Sequence, residues 1–248
     1  MHGRRVLVTR AAEQAAPLAA LLEQKGATPV LCPLIETVEP TDNSPLAEAF
    51  QNLASYDWLL LTSANTVRFG AGLAPDLPPD LHVAAVGPGT QAAARQVGWN
   101  VTLTAKDHVG EGLLEALLSR NGNNVRGLRF LLPRAAEARD VLPDGLSAAG
   151  AHVDVVTAYV TRMPAAAAAQ LLAILKEHRL DAVLFTSPST VHNCVRALGR
   201  ASLGDAVLGY IGPIAAGAAR ELGLRVDFVA DPHSIPDLVA ALESWFTG

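Results

Sequence analysis

Charge is scarce in this chain, and so is cysteine. Only 17% of its 248 residues are Asp, Glu, Lys or Arg, against about a quarter in a typical soluble domain. The net charge of −5 argues against a protein that works mainly by holding nucleic-acid phosphates. It leaves room for local basic pockets that take an acidic small molecule. Cys32 and Cys194 stand in no C-x-x-C or zinc-type spacing, so they read as buried thiols of a reducing compartment. No uncharged apolar run reaches the ~18 residues of a membrane span. MHGRRVLVTRA enters an apolar run almost at once, which leaves no room for a signal peptide. A cytoplasmic setting with no membrane partner is expected. The seven histidines form no metal-spaced cluster. His108 and His233 fall at equivalent points before helices, where loop or cap positions explain them.

What the chain does contain is a repeat. LVTRAAEQ (7–14) recurs as LLPRAAEA (131–138), and LLTSANTVRF (60–69) as LFTSPSTVHN (184–193), each displaced by 124 residues. VAAVGPGTQAAARQVGWNVTLTA (83–105) recurs as LGYIGPIAAGAARELGLRVDFVA (208–230), displaced by 125. Three pairs in one order mark an ancient duplication.

Short apolar runs such as VLVT, WLLLTS, VAAVG, RFLLP, AVLFTS and LGYIG fit strands buried on both faces. Between them, stretches such as 12–25, 136–149 and 236–246 carry helical spacing. The alternation predicts parallel sheets covered by helices on both sides. Five strands per copy, about ten in all, make two doubly wound α/β domains. Gly26, Gly98, Gly150 and Gly223 fall where helices should end in a left-handed residue. A cut near residue 125 would follow the repeat. Two matching connectors, 36–45 and 159–168, suggest another division. In it, residues 1–38 plus 165–248 form one domain and 39–164 the other, with connector strands near 36–42 and 158–164.

Ligands on open parallel sheets bind beyond the C-terminal strand ends, where the repeated motifs collect. These are Thr9-Arg10, Thr62-Ser63-Ala64-Asn65, Gly87-Pro88-Gly89, Pro133-Arg134, Thr186-Ser187-Pro188-Ser189 and Gly212-Pro213. Ser63 or Asn65, and Ser187 or Ser189, suit helix N-caps, with Pro188 in the first turn. Such ends attract carboxylate or phosphate. Ser187 lacks a G-x-S-x-G context, and His192 is five residues along on another helix face, so the serines read as anchors rather than nucleophiles. Arg10 and Arg134, matched in the repeat, suit carboxylate contact. Arg139 has no charged counterpart and reads as a surface charge or a specialised contact. Gly87-Pro88-Gly89-Thr90-Gln91-Ala92 fits G-x-G-x-x-A, with Asp107 twenty residues after Gly87. Against a dinucleotide site, Pro88 removes a donor and Gly212-Pro213-Ile214 lacks the second glycine. Tyr159 replaces its repeat partner Ile35 where a strand meets a connector. It either braces the connector or presents a proton-donating hydroxyl.

VLVTR (6–10), YDWLLLTSANTV (56–67), VAAVGPGT (83–90), Tyr159-Val160-Thr161, AVLFTSPSTV (182–191) and YIGP (210–213) together resemble the uroporphyrinogen-III synthase family, over nearly the whole chain. One departure is Ile214-Ala215-Ala216, where the family often has threonine. The resemblance implies two flavodoxin-like domains, each discontinuous in sequence, joined by a two-stranded connector. It implies cyclisation of hydroxymethylbilane, a linear tetrapyrrole with eight carboxylates, to uroporphyrinogen III without metal or organic cofactor. Tyr159 is then the catalytic candidate. Arg10, Thr62, Ser63, Ala64, Asn65, Gly87, Pro133, Arg134, Ser187, Ser189 and Gly212 become substrate-binding candidates. A monomer that receives substrate from the preceding pathway enzyme is expected. An NAD-dependent enzyme and a two-domain binder of small anions are the alternatives.

Overall fold

The computed structural model describes residues 1–107, 109–177, 179–199 and 201–247. Two compact units emerge, Met1–Glu36 with Arg162–Gly248, and Thr37–Thr161. The chain begins with β1 (Arg5–Val8), α1 (Ala12–Gln24) and β2 (Thr28–Leu31), then β3 (Glu36–Val38) and α2 (Ser44–Gln51). It continues through β4 (Trp58–Leu61), α3 (Ala64–Gly70), β5 (His82–Ala85), α4 (Pro88–Gln96), β6 (Leu103–Thr104) and α5 (Gly110–Arg120). Next come β7 (Arg129–Ala135), α6 (Val141–Ala148) and the long β8 (His152–Arg162). The last stretch holds α7 (Ala167–Glu177), β9 (Ala182–Phe185), α8 (Pro188–Leu198), β10 (Val207–Tyr210), α9 (Pro213–Glu221), β11 (Phe228–Val229) and α10 (Ile235–Thr247).

The first unit's sheet has the order β11-β10-β9-β1-β2, and the second's is β3-β8-β7-β4-β5-β6. Neighbouring strands from β2 to β11 in the first, and from β8 to β6 in the second, pair in parallel. This is the doubly wound, flavodoxin-like order. Central strands β4 and β9 are buried at every residue, as strands covered on both faces must be. Apart from β3, every strand has a repeat counterpart. The counterparts, however, sit in different units. The first unit takes its β1 and β2 from the first half of the sequence and β9, β10 and β11 from the second. A cut at residue 125 would therefore part β1 from β9, and β4 from β7, which are hydrogen-bonded neighbours.

Two expectations need correction. Only the first unit is discontinuous; the second is one continuous stretch, Thr37–Thr161. All its strands lie between the point where the chain leaves the first unit and the point where it returns. Those two points, Glu36 and Arg162, are joined by an ion pair of 2.8 Å. Second, no helix begins at 136. β7 runs on to Ala135 beside the long β8, and α6 starts only at Val141. The intervening residues form a loop at the sheet's C-terminal edge.

The glycine expectation holds. Gly26, Gly98, Gly150 and Gly223 follow α1, α4, α6 and α9 with φ of +76°, +83°, +90° and +75°, a region side chains disfavour. Both cysteines are buried in one cluster. Burial pushes the Cys32 thiol up to about 11 and Cys194 to about 12, so both are inert rather than reactive.

The duplicated sheets compensate in size. Gly209 on β10 faces Phe228 on β11, whereas Ala84 on β5 faces Leu103 on β6. A Cβ at Gly209 would sit 2.2 Å from the Phe228 ring. Gly209→Ala should therefore destabilise the fold by about 1–3 kcal/mol. Adding Phe228→Leu should recover most of the loss. Urea unfolding of the single and double variants checks both statements.

Candidate functional site

Parallel strands put their C-terminal ends on one edge, and the crevice opens where strand order reverses. In the second unit that reversal lies between β7 and β4, and a cleft of about 360 Å³ opens there. Thr62 and Ser63 enter it from the loop after β4, Arg134 from the end of β7 and Tyr159 from β8. Val109 and Gly110 at the start of α5, with Glu137 and Arg139 from the loop before α6, complete its rim.

Local rules fix the two hydroxyls. Ser63 is extended (φ −159°, ψ 156°) and caps α3, its Oγ accepting from the Thr66 amide at 3.1 Å. Such a cap contributes about 1 kcal/mol. Tyr159 owes its direction to a bulge. Arg134 pairs with Thr157, but Ala135 pairs with Tyr159, so Ala158 is skipped. An extra residue of this kind re-aims the side chains that follow it. The Tyr159 ring stacks on Phe69 with centroids 5.7 Å apart and is 8% exposed. Its Oη reaches Ser63 Oγ at 3.1 Å. The ring is thus braced against α3, and the residue lines the cleft wall.

The matched arginines differ in their partners. Arg134 is 16% exposed and is held by Asp140 Oδ1 at 2.5 Å and by the Arg139 carbonyl at 3.0 Å. Asp140 corresponds to Ala16 in the repeat. Arg10 instead donates to the neutral Gln14 Oε1 at 3.1 Å, and no carboxylate pairs with it among the described residues. Its half-buried place disfavours the charge and lowers its pKa from the usual value. An arriving carboxylate would relieve that cost. Arg139 proves to be a cleft residue, forking onto both oxygens of Glu111 at 2.6 and 3.1 Å.

The remaining candidates divide. Ala64, Asn65, Gly87 and Pro133 do not line the cleft; Gly87 and Pro133 are buried. In the first unit, Arg10, Ser187 and Gly212 follow adjacent strands β1, β9 and β10, on one sheet edge. Ser187 caps α8, accepting from the Thr190 amide at 3.3 Å, with Pro188 next and Ser189 exposed. His192 Nδ1 lies 2.8 Å from the Pro188 carbonyl of its own helix, so it is not placed as a base for Ser187. His233 packs on Gly212, and its Nδ1 lies 2.7 Å from the Ala230 carbonyl; His108 lies outside the described residues. Gly87, the first glycine of the dinucleotide-like motif, has an extended backbone. It follows β5, a strand removed from the order reversal. Sequence reasoning missed Val109, Gly110 and Glu137, whose only signal is their place in loops that the fold brings together.

Residues 16–240 match the uroporphyrinogen-III synthase HemD family. The chain belongs to this uroporphyrinogen-III synthase family. A putative uroporphyrinogen-III synthase of Methanothermobacter thermautotrophicus is 33% identical, over 95% of this chain and 96% of that one. The uroporphyrinogen-III synthase of Synechococcus elongatus is 30% identical, over 98% and 96%. In fold, the chain is similar to a mutant uroporphyrinogen III synthase of Thermus thermophilus, with a TM-score of 0.66, 19% identity and 99% of each chain covered. The uroporphyrinogen-III synthetase of Helicobacter pylori gives 0.66 at 17% identity, over 98% of this chain and 99% of that one.

Hydrogen bonds from Arg139, the largest cause, hold the exposed Glu111 carboxyl below its ordinary value. A carboxylate depressed in this way favours the folded state above its unfolded pKa, and that contribution fades as pH falls through the folded one. Arg139→Ala should move the Glu111 midpoint upward. Carboxyl-carbon NMR titration of the variant against the parent would reveal it.

Proposed function

We propose that Tyr159 is the proton donor of this enzyme and that the arginines of the two sheet edges hold the substrate's carboxylates. The reaction is that of the family. Hydroxymethylbilane, a linear tetrapyrrole, closes to uroporphyrinogen III with loss of water and inversion of ring D, in tetrapyrrole and heme biosynthesis. The observation that carries the role of Tyr159 is its hydroxyl in a cleft wall that also bears Arg134 and Arg139. We further propose that the chain acts as a cytoplasmic monomer on substrate from the preceding pathway enzyme. No helix among the described residues is long and apolar enough to cross a membrane.

Tyr159 Oη–H protonates the leaving hydroxyl, the C–O electron pair departs with the water, and a resonance-stabilised cation and a phenolate remain. The cation closes through a spiro intermediate. A pyrrole carbon finally loses a proton, which returns to the phenolate. Holding a flexible chain in one folded arrangement draws on the roughly 7–11 kcal/mol that orientation offers. Arg10 suits this task because its charge has no carboxylate partner of its own among the described residues.

Purified protein given fresh hydroxymethylbilane should yield the type III isomer after oxidation to porphyrin. Tyr159→Phe should lower kcat by about 10²-fold or more; unchanged turnover together with an unchanged isomer ratio would remove the acid role. Arg10→Ala should chiefly raise KM, by about tenfold, and an unaltered KM would count against anchoring.

A further inference from the structure

Tyr159 does not meet Ser63 alone. Ser63 Oγ also lies 3.1 Å from Thr66 Oγ1, which donates to the Pro133 carbonyl at 3.3 Å. Thr66 is fully buried. A carbonyl only accepts, so the Thr66 proton is committed to Pro133. Ser63 Oγ has one proton and two lone pairs, and one lone pair already accepts from the Thr66 amide. Its proton then satisfies Thr66 Oγ1, and its second lone pair receives the proton of Tyr159. The bonds run Tyr159 to Ser63 to Thr66 to the Pro133 carbonyl. Their direction is set by the member that cannot donate.

The first unit supplies an internal control. Ser187, Thr190 and Thr9 occupy the repeat positions of Ser63, Thr66 and Pro133, and Ile35 that of Tyr159. There Thr190 Oγ1 donates to the carbonyl of Ser187 at 2.7 Å, and Thr9 Oγ1 to that of Leu184 at 2.9 Å. The same helix cap thus exists without a chain of hydroxyls. The chain accompanies the tyrosine, not the cap.

We propose that Ser63 and Thr66 are positioning residues for Tyr159: Ser63 turns its proton to the phenolate left when Tyr159 protonates the leaving hydroxyl, and Thr66 competes for that proton in the resting enzyme. This rests on Tyr159 being the proton donor. Ser63 keeps its O–H bond and only rotates, and Thr66 stays bonded to Pro133. The proton that leaves Tyr159 departs in water, and the pyrrole proton restores it.

Two substitutions should act in opposite senses. Ser63→Ala removes the donor to the phenolate. The ionisation midpoint of Tyr159 should rise by about one pH unit and kcat should fall about tenfold. Thr66→Val keeps the side-chain shape and the amide that Ser63 caps but deletes the competing oxygen, so the midpoint should fall. Thr66→Ser should leave it in place. NMR titration of ring-labelled tyrosine reads the midpoint, with Tyr159→Phe assigning the resonance. Tyr56, pushed up to about 12 chiefly by burial, and the more strongly raised Tyr210 help to separate the signals. If loss of the cap unfolds Ser63→Ala, Thr66→Val decides by itself. A midpoint that rises or stays put in Thr66→Val overturns the proposal even when Tyr159→Phe is inactive. Full turnover and the normal isomer ratio in Tyr159→Phe would instead remove the acid role and this one with it.

Discussion

The pairing of β7 with β4 is the contact on which the site depends. It aligns Trp58 with Phe130 and Leu59 with Leu131, residues buried in the core of the second unit. Because the strands are parallel, both reach the same edge. Pro133-Arg134 therefore ends beside Thr62-Ser63, although about seventy residues separate them in sequence. Neither segment makes a cleft alone. The equivalent pairing of β1 with β9 sets Arg10 beside Ser187 by the same rule. Every polar feature at either edge is a consequence of apolar strands buried on both faces.

Divergence after duplication left the frame intact and altered single positions. The cap serine, its threonine and the edge arginine persist in both units. Ile35 against Tyr159, Thr9 against Pro133, and Ala16 against Asp140 do not. These few changes tie one of the two helix caps to a phenol, and they pair one arginine while leaving the other without a carboxylate among the described residues. The bulge at Arg134/Ala135 belongs to the same set, since it turns Tyr159 toward Ser63. A chemical asymmetry thus rests on a symmetric scaffold. That suits a reaction governed more by substrate geometry than by a strongly activated group.

The charges near the cleft are internally managed. Arg134 with Asp140, and Arg139 with Glu111, neutralise one another at the rim. Such rim pairs, each with an exposed carboxylate, contribute little stability. They hold long side chains in defined places. Arg10 differs because its half-buried charge has only an amide oxygen for company.

The linear pattern by itself determined the class of fold, the duplication, the left-handed glycines, the two serine caps and the asymmetry at Tyr159. Each is written in local spacing: apolar runs of strand length, helical periodicity, a glycine after the last turn, or one residue changed between two copies. Tertiary structure alone decided which halves pair, that Arg139 faces the cleft, that Pro133 offers its carbonyl rather than a surface, and that Thr66 continues the hydroxyl chain. Those facts follow from strand pairing between distant segments and from one skipped residue in a ladder. Sequence periodicity carries neither, because strands of similar apolar composition can pair in several orders, and a bulge changes side-chain direction without changing the pattern that precedes it.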